Sequence, residues 1–157
     1  MAYQVAVCGP HECSDVEAAQ AHRVGAFLAD AGAVVLCGGG GGVMAAVAAG
    51  VRARNGLVVG IRPGDSRDGA SADLSVTVVT NMGQARNAVI VTSADAVIAI
   101  GGSWGTLSEV ALAMRRGNVP VISLGGWRIV DVSGEPVPGV TEVQTPEDAV
   151  QVALARA

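Results

Sequence analysis

Four polar residues have the types and surroundings for chemistry on a negatively charged group: Arg86, Asn87, Thr106 and Glu109. Arg86 lies in "MGQARN", early in a predicted helix, where a positive charge opposes the helix dipole and an anionic partner would offset it. Its guanidinium fork suits a phosphate or a carboxylate such as that of Glu109. Asn87 can donate to a ribose or a base. Met82 opens the same stretch and joins the ligand-contact candidates, although packing is the plainer use of a methionine. Thr106 and Glu109 stand in "GTLSE". T-x-x-E also spells a capping box, in which Glu109 does no more than close its own helix. Arg86 and Asn87 have bland readings too, as solvated surface groups.

These residues stand beside two glycine-rich turns. "CGGGGGVMAAVAAG" (37–50) holds Gly39, Gly40, Gly41 and Gly42, and "IGGSWGTLSE" (100–109) holds Gly101, Gly102 and Gly105. Each follows an apolar run and precedes an Ala- or Leu-containing helical pattern. Glycine there lets backbone approach a ligand and adopt positive φ. A helix start presents unpaired N–H groups and a partial positive charge, which together make an anion site. Two such ends facing one crevice would form a phosphate or pyrophosphate pocket; tight turns with no ligand are the alternative. Gly40, Gly42 and Ala45 match G-x-G-x-x-A, but the turn follows the second strand and Arg62 ends the third, so a dinucleotide site is poorly supported. Trp104 sits inside the second turn, placed to stack on a ligand ring or to form a rim or oligomer contact.

Positioning these groups requires alternating strands and helices. Strands are predicted at 3–9, 33–37, 57–61, 74–80, 96–100 and 119–124, with a short last one at "TEVQ". Ser14 and Glu17 predict a capping box for the first helix. Asn81 is expected to cap the helix "MGQARNAVIVTSA", and Thr145 with Pro146 opens the last helix. The segment after Leu124 reads as irregular, with room for a small hairpin. This alternation predicts a single α/β domain over 1–157: a Rossmann-like, doubly wound, mostly parallel sheet with helices on both faces. Ligands in such folds bind beyond the carboxyl ends of the strands.

Composition narrows the chemistry. All ten basic side chains are arginines and there is no lysine, which excludes a Walker A loop and a pyridoxal phosphate Schiff base. A net charge of −4 without a basic run argues against nucleic acid as partner. No apolar stretch reaches a membrane span and no signal peptide opens the chain, so a cytoplasmic location is expected. Cys8, Cys13 and Cys37 read as free thiols. Cys8, His11 and Cys13 share one loop, but three soft ligands without a fourth do not make a metal site, and none is expected.

"CGGGGGVMAAV", "MGQARN" and "SADAVIAIGGSWGTLSE" together resemble the LOG (Lonely Guy) superfamily, once labelled lysine decarboxylases. The likeness covers roughly Tyr3 to Leu124. Its P-G-G-x-G-T-x-x-E pattern is resembled by Gly101, Gly102, Gly105, Thr106 and Glu109, with Ile100 in place of the Pro and two residues, Ser103 and Trp104, where the pattern has one. Its M-x-x-R-K pattern is resembled at Arg86, with Asn87 in place of the Lys and Met82 one residue further upstream than the pattern has it. The spelling is closer to a bacterial branch similar to molybdenum-cofactor carrier proteins. The resemblance implies one of two activities. One is a carrier that holds a phosphorylated ribonucleotide or pterin-type ligand without turnover. The other is a phosphoribohydrolase that cleaves the N-glycosidic bond of a nucleoside 5′-monophosphate. In the second, Glu109 would engage the ribose or the developing oxocarbenium charge, and Arg86 would orient it or the leaving base. The resemblance also implies a homo-oligomer, a dimer or larger.

Overall fold

The computed structural model describes residues 1–157. Seven strands are interleaved with five helices: β1 (Gln4–Cys8), α1 (Asp15–Asp30), β2 (Val34–Cys37), α2 (Val43–Arg52), β3 (Val58–Arg62), β4 (Val76–Val79), α3 (Arg86–Thr92), β5 (Ala96–Ile100), α4 (Trp104–Arg116), β6 (Val121–Leu124), β7 (Val140–Val143) and α5 (Pro146–Leu154). The strands form one sheet in the order β4-β3-β2-β1-β5-β6-β7. Every pairing is parallel. The doubly wound α/β architecture expected from the alternation is present.

Strand composition explains the layering. A sheet covered on both faces needs strands apolar on both sides, and β5 (AVIAI) is buried at every position. One face carries α1, α2 and α5, whose Leu28, Val47 and Val150 join a cluster of 21 buried residues with Val5, Val7 and Ile98. The other carries α3 and α4, whose Ile90 and Val110 join a cluster of 12 with Ala6, Cys8 and Val97. Burying a Val, Leu or Ile side chain is worth about 1.5–3 kcal/mol, so these two layers hold the fold with no fully buried aromatic; Tyr3 and Phe27 pack only at the margin of the larger one. No helix is long and apolar enough to cross a membrane.

Chain order sets where a ligand can enter. The strands run outward from β1 to β4, then return to β5 on the other side of β1. The order therefore reverses between β1 and β5, and a crevice opens beyond their carboxyl ends.

Local capping follows the sequence at α1 and α5. Ser14 Oγ accepts from the Glu17 N–H, and the Ser14 N–H donates to the Glu17 carboxylate at 2.7 Å. Thr145 accepts from the Asp148 N–H. Two expectations are corrected. Asn81 does not cap α3: it takes a left-handed φ of 52° and donates its N–H to the Gly64 carbonyl. A short 3-10 turn (Gly83–Ala85) intervenes, and the α-helix begins only at Arg86. The cap of α4 is Ser103, whose Oγ accepts from the Thr106 N–H at 3.1 Å. Thr106 is thus inside the helix and Glu109 is not a capping residue. The segment after β6 holds a minimal hairpin, with Val130 bridged to Pro136.

Candidate functional site

A cavity of about 160 Å³ occupies the crevice between the ends of β1 and β5. Cys8 and Gly9 come from the end of β1, Gly38 from the end of β2, and Met44 from the first turn of α2. Gln84 comes from the 3-10 turn before α3, Arg86 and Asn87 from the start of α3, and Ser103, Gly105, Thr106 and Glu109 from the start of α4. The wall is polar; Cys8 and Met44 are its main apolar groups.

Arg86 enters at the first position of α3 and is buried. Its Nη1 donates to the Gly38 carbonyl at 2.8 Å and also to the Ile61 carbonyl. The poor placement of a cation at a helix start is therefore offset first by two backbone carbonyls. Its Nε is buried without a hydrogen-bond partner. Asn87, also buried, donates through Nδ2 to Ser108 Oγ at 2.9 Å, and Ser108 in turn donates to the Gly105 carbonyl. That chain fixes the amide orientation and leaves Asn87 Oδ1 buried and unpartnered. Buried polar atoms are seldom left so, and each one in a native wall requires an explanation. A donor and an acceptor are thus each one bond short, on two residues that line the same cavity.

Glu109 faces this wall from α4 and is 7% exposed. Burial pushes its carboxyl up to about 7, with the Arg86 charge and the Cys8 thiol opposing the shift. Burial also raises the Cys8 thiol well above its ordinary range, and Glu109 adds to that. Burial and the Glu109 carboxyl thus both disfavour the Cys8 thiolate. Arg86 and Glu109 share the cavity but do not form an ion pair. The chain's three ion pairs are Arg23–Glu147, Arg54–Asp30 and Arg128–Glu142, all at the surface.

The residues nominated from the sequence divide into two groups. Arg86, Asn87, Gly105, Thr106 and Glu109 line the cavity. Gly39, Gly40, Gly41, Gly42, Met82, Gly101 and Gly102 do not. The Gly41 N–H is taken by His11 Nδ1 at 3.2 Å, and the Val43 N–H by the Pro10 carbonyl at 3.1 Å. Met82 is half exposed, and Trp104 is 78% exposed, edge-on to Trp127. Cys8 and His11 line the cavity while Cys13 does not.

Cavity residues that sequence reasoning did not nominate are Cys8, Gly9, His11, Gly38, Met44, Gln84 and Ser103. Two signals pointed toward them. "CGPHECS" follows the first strand at the switch point, and Ser103 stands three residues before Thr106, the spacing of a cap. Arg62 lies outside the cavity. It ends β3 beside the glycine run, donates to the Asp68 carbonyl at 2.9 Å and keeps a buried, unpartnered Nε.

A family model described as the SLOG cluster4 family matches residues 2–150. An uncharacterized protein of Archaeoglobus fulgidus is 38% identical over 151 residues, 96% of this chain and 94% of that one. Among solved structures, the molybdenum cofactor binding protein of Rippkaea orientalis is 31% identical with a TM-score of 0.89, covering 99% of this chain and 97% of that one. The molybdenum cofactor carrier protein of Chlamydomonas reinhardtii is 25% identical with a TM-score of 0.82, covering 99% and 100%.

Proposed function

The chain belongs to the SLOG cluster4 family, and from that premise we propose that it is a carrier or binding protein for a phosphorylated, nucleotide-like ligand of the pterin type. The ligand occupies the cavity beyond β1 and β5 and leaves unchanged. The observation that carries this reading is the pair of unpartnered atoms in the wall, Arg86 Nε and Asn87 Oδ1. A ligand whose anionic group meets the first, with a neighbouring O–H or N–H donor for the second, completes both. The open face of Gly105 and the start of α4 supply amides for the anion. The names of the two molybdenum-cofactor proteins, similar over essentially the whole chain, support the same ligand class. The carrier acts in the cytoplasm as a homo-oligomer. The exposed Val76, Val78 and Val79 on the edge strand β4 support assembly, and light scattering on the eluted protein tests it, a monomer removing that part.

Calorimetric titration with 6-hydroxymethylpterin diphosphate and with AMP, followed by chromatography of the recovered ligands, tests the main reading. Saturable binding with intact recovery is expected, weakened about tenfold or more in Arg86→Gln. No binding of either compound overturns it. A second reading, hydrolysis of an N-glycosidic bond, is favoured by one observation: Glu109 is buried with its carboxyl near 7, in reach of both protonation states at neutral pH. Free adenine and ribose 5-phosphate from AMP, lost in Glu109→Gln, would establish that reading instead.

A further inference from the structure

A ligand that joins an anionic group to a flat ring needs bulky apolar side chains as well as polar ones, and of the residues lining the cavity under Arg86 only Cys8 and Met44 are hydrophobic. A second cavity has more of them. It lies on the other side of the first turn of α4, between that helix, the ends of β5 and β6, and the hairpin. Both cavities are lined by Ser103 and Thr106, so both border the N-terminus of α4. The second is walled by Leu107, Val110, Trp127, Ile129 and Val137, with the Arg128–Glu142 ion pair and the Ser123 hydroxyl as its polar groups. Predominantly apolar walls with a few converging polar groups are the usual make-up of a site for a small organic molecule.

The rim is built for contact. The chain has two tryptophans, and both sit here, edge to face at 5.1 Å between ring centres. Trp127, Ile129 and Val137 are each more than a third exposed although they line a concavity. Trp127 reaches its place because residue 102 is glycine: a Cβ there would lie 2.3 Å from the indole. Gly102 of the second turn therefore seats the indole in the wall of the second cavity.

We propose that this second cavity is the ring subsite of the same ligand, with the anionic part held under Arg86 and the two parts joined across Ser103 and Thr106. The proposal rests on the binding reading above and assigns a ligand chemistry: a fused heteroaromatic ring carrying a phosphate ester. The ring packs against Trp127, and its N–H edge meets the Glu142 carboxylate or the Ser123 hydroxyl.

Three probes test it: inorganic diphosphate, 6-hydroxymethylpterin, and the diphosphate ester that unites them. Affinities are read by calorimetry and by quenching of tryptophan fluorescence. The ester is expected to bind at least about a hundredfold more tightly than either fragment, because the second contact becomes intramolecular. It should quench Trp127 in a Trp104→Phe background. Trp127→Leu should weaken the ester about tenfold and leave diphosphate unchanged, with Trp127→Phe restoring most of the loss. Arg86→Gln should weaken both the ester and diphosphate. If the ester binds in an Arg86-dependent way and neither Trp127→Leu nor fluorescence responds, the ring subsite is wrong and the binding reading survives. If diphosphate and the pterin saturate together with no gain in the ester, the two cavities do not share one ligand. If the ester does not bind at all, the binding reading fails first.

Discussion

The two glycine turns look alike on paper and differ in space. In the turn after β2 the room beside the backbone is already filled. A Cβ on Gly42, which has a φ of 59°, would lie 2.2 Å from the His11 carbonyl oxygen. One on Gly38 would lie 2.5 Å from the Arg86 guanidinium. This turn is closed against the loop after β1, and its Gly41 and Val43 amides are bonded within the protein. In the turn after β5, Gly105 faces open space, its nearest neighbour being Ser103 Oγ at 3.7 Å. The cap is a serine side chain, so a glycine is free to border the cavity. The lesson is that a glycine run reports close approach without saying what approaches. In the first turn, and at Gly101 and Gly102 of the second, it is mostly the protein itself; at Gly105 it is open space bordering the cavity.

The largest expected effect breaks the first turn. Gly42→Ala meets both a left-handed backbone and two carbonyls, and should cost about 3 kcal/mol or more. Thermal melting should fall by roughly 10 °C, since a domain of this size loses about 2–4 °C per kcal/mol. A melting point within a degree or two of the parent would mean that the turn is not packed shut.

Glu109, on the helix of the second turn, tests whether that side is a costly, prearranged site. Its folded carboxyl titrates near 7 against an ordinary 4.5, so the folded protein binds this proton more tightly than the unfolded chain does. The resulting stabilisation is fully present below pH 4.5 and is lost as the pH rises through 7. Glu109→Gln removes this dependence. Denaturation midpoints should coincide near pH 4 and separate above pH 7, the variant being more stable by up to about 3 kcal/mol. Parallel curves across that range would show that Glu109 is not buried in this way.

Arg86 belongs to both regions, tying the first turn through Gly38 while lining the cavity. Arg86→Met keeps its volume but orphans the Gly38 and Ile61 carbonyls, an expected cost of about 2 kcal/mol by urea denaturation. An unchanged midpoint would leave Arg86 a ligand group alone. The smallest effect sharpens the contrast with Gly42. Gly105→Ala lies within a helix and in open space, so stability should shift by less than about 1 kcal/mol, toward the variant. Affinity for inorganic diphosphate should fall nonetheless, read by calorimetry on the same samples. If Gly105→Ala destabilises as strongly as Gly42→Ala, the two turns are doing the same job.

The sequence by itself determined the alternation of strands and helices, and hence a parallel sheet. Unbroken Val- and Ile-rich runs suit a strand buried on both faces, and short connections with Ser14, Thr145 and Pro146 at helix starts leave few other topologies. It also nominated Arg86, Asn87, Gly105, Thr106 and Glu109, because charge, cap spacing and glycine placement are local properties. Tertiary structure alone decided which of the nominated glycines border a cavity, because a missing side chain acquires meaning only from the atom that comes to lie beside it. It decided that Glu109 is buried and titrates near 7 instead of capping α4, since Ser103 had already taken the cap. It also brought Trp127 to Gly102, across the turn after β5 and the chain beyond β6, a meeting between distant segments that no local pattern encodes.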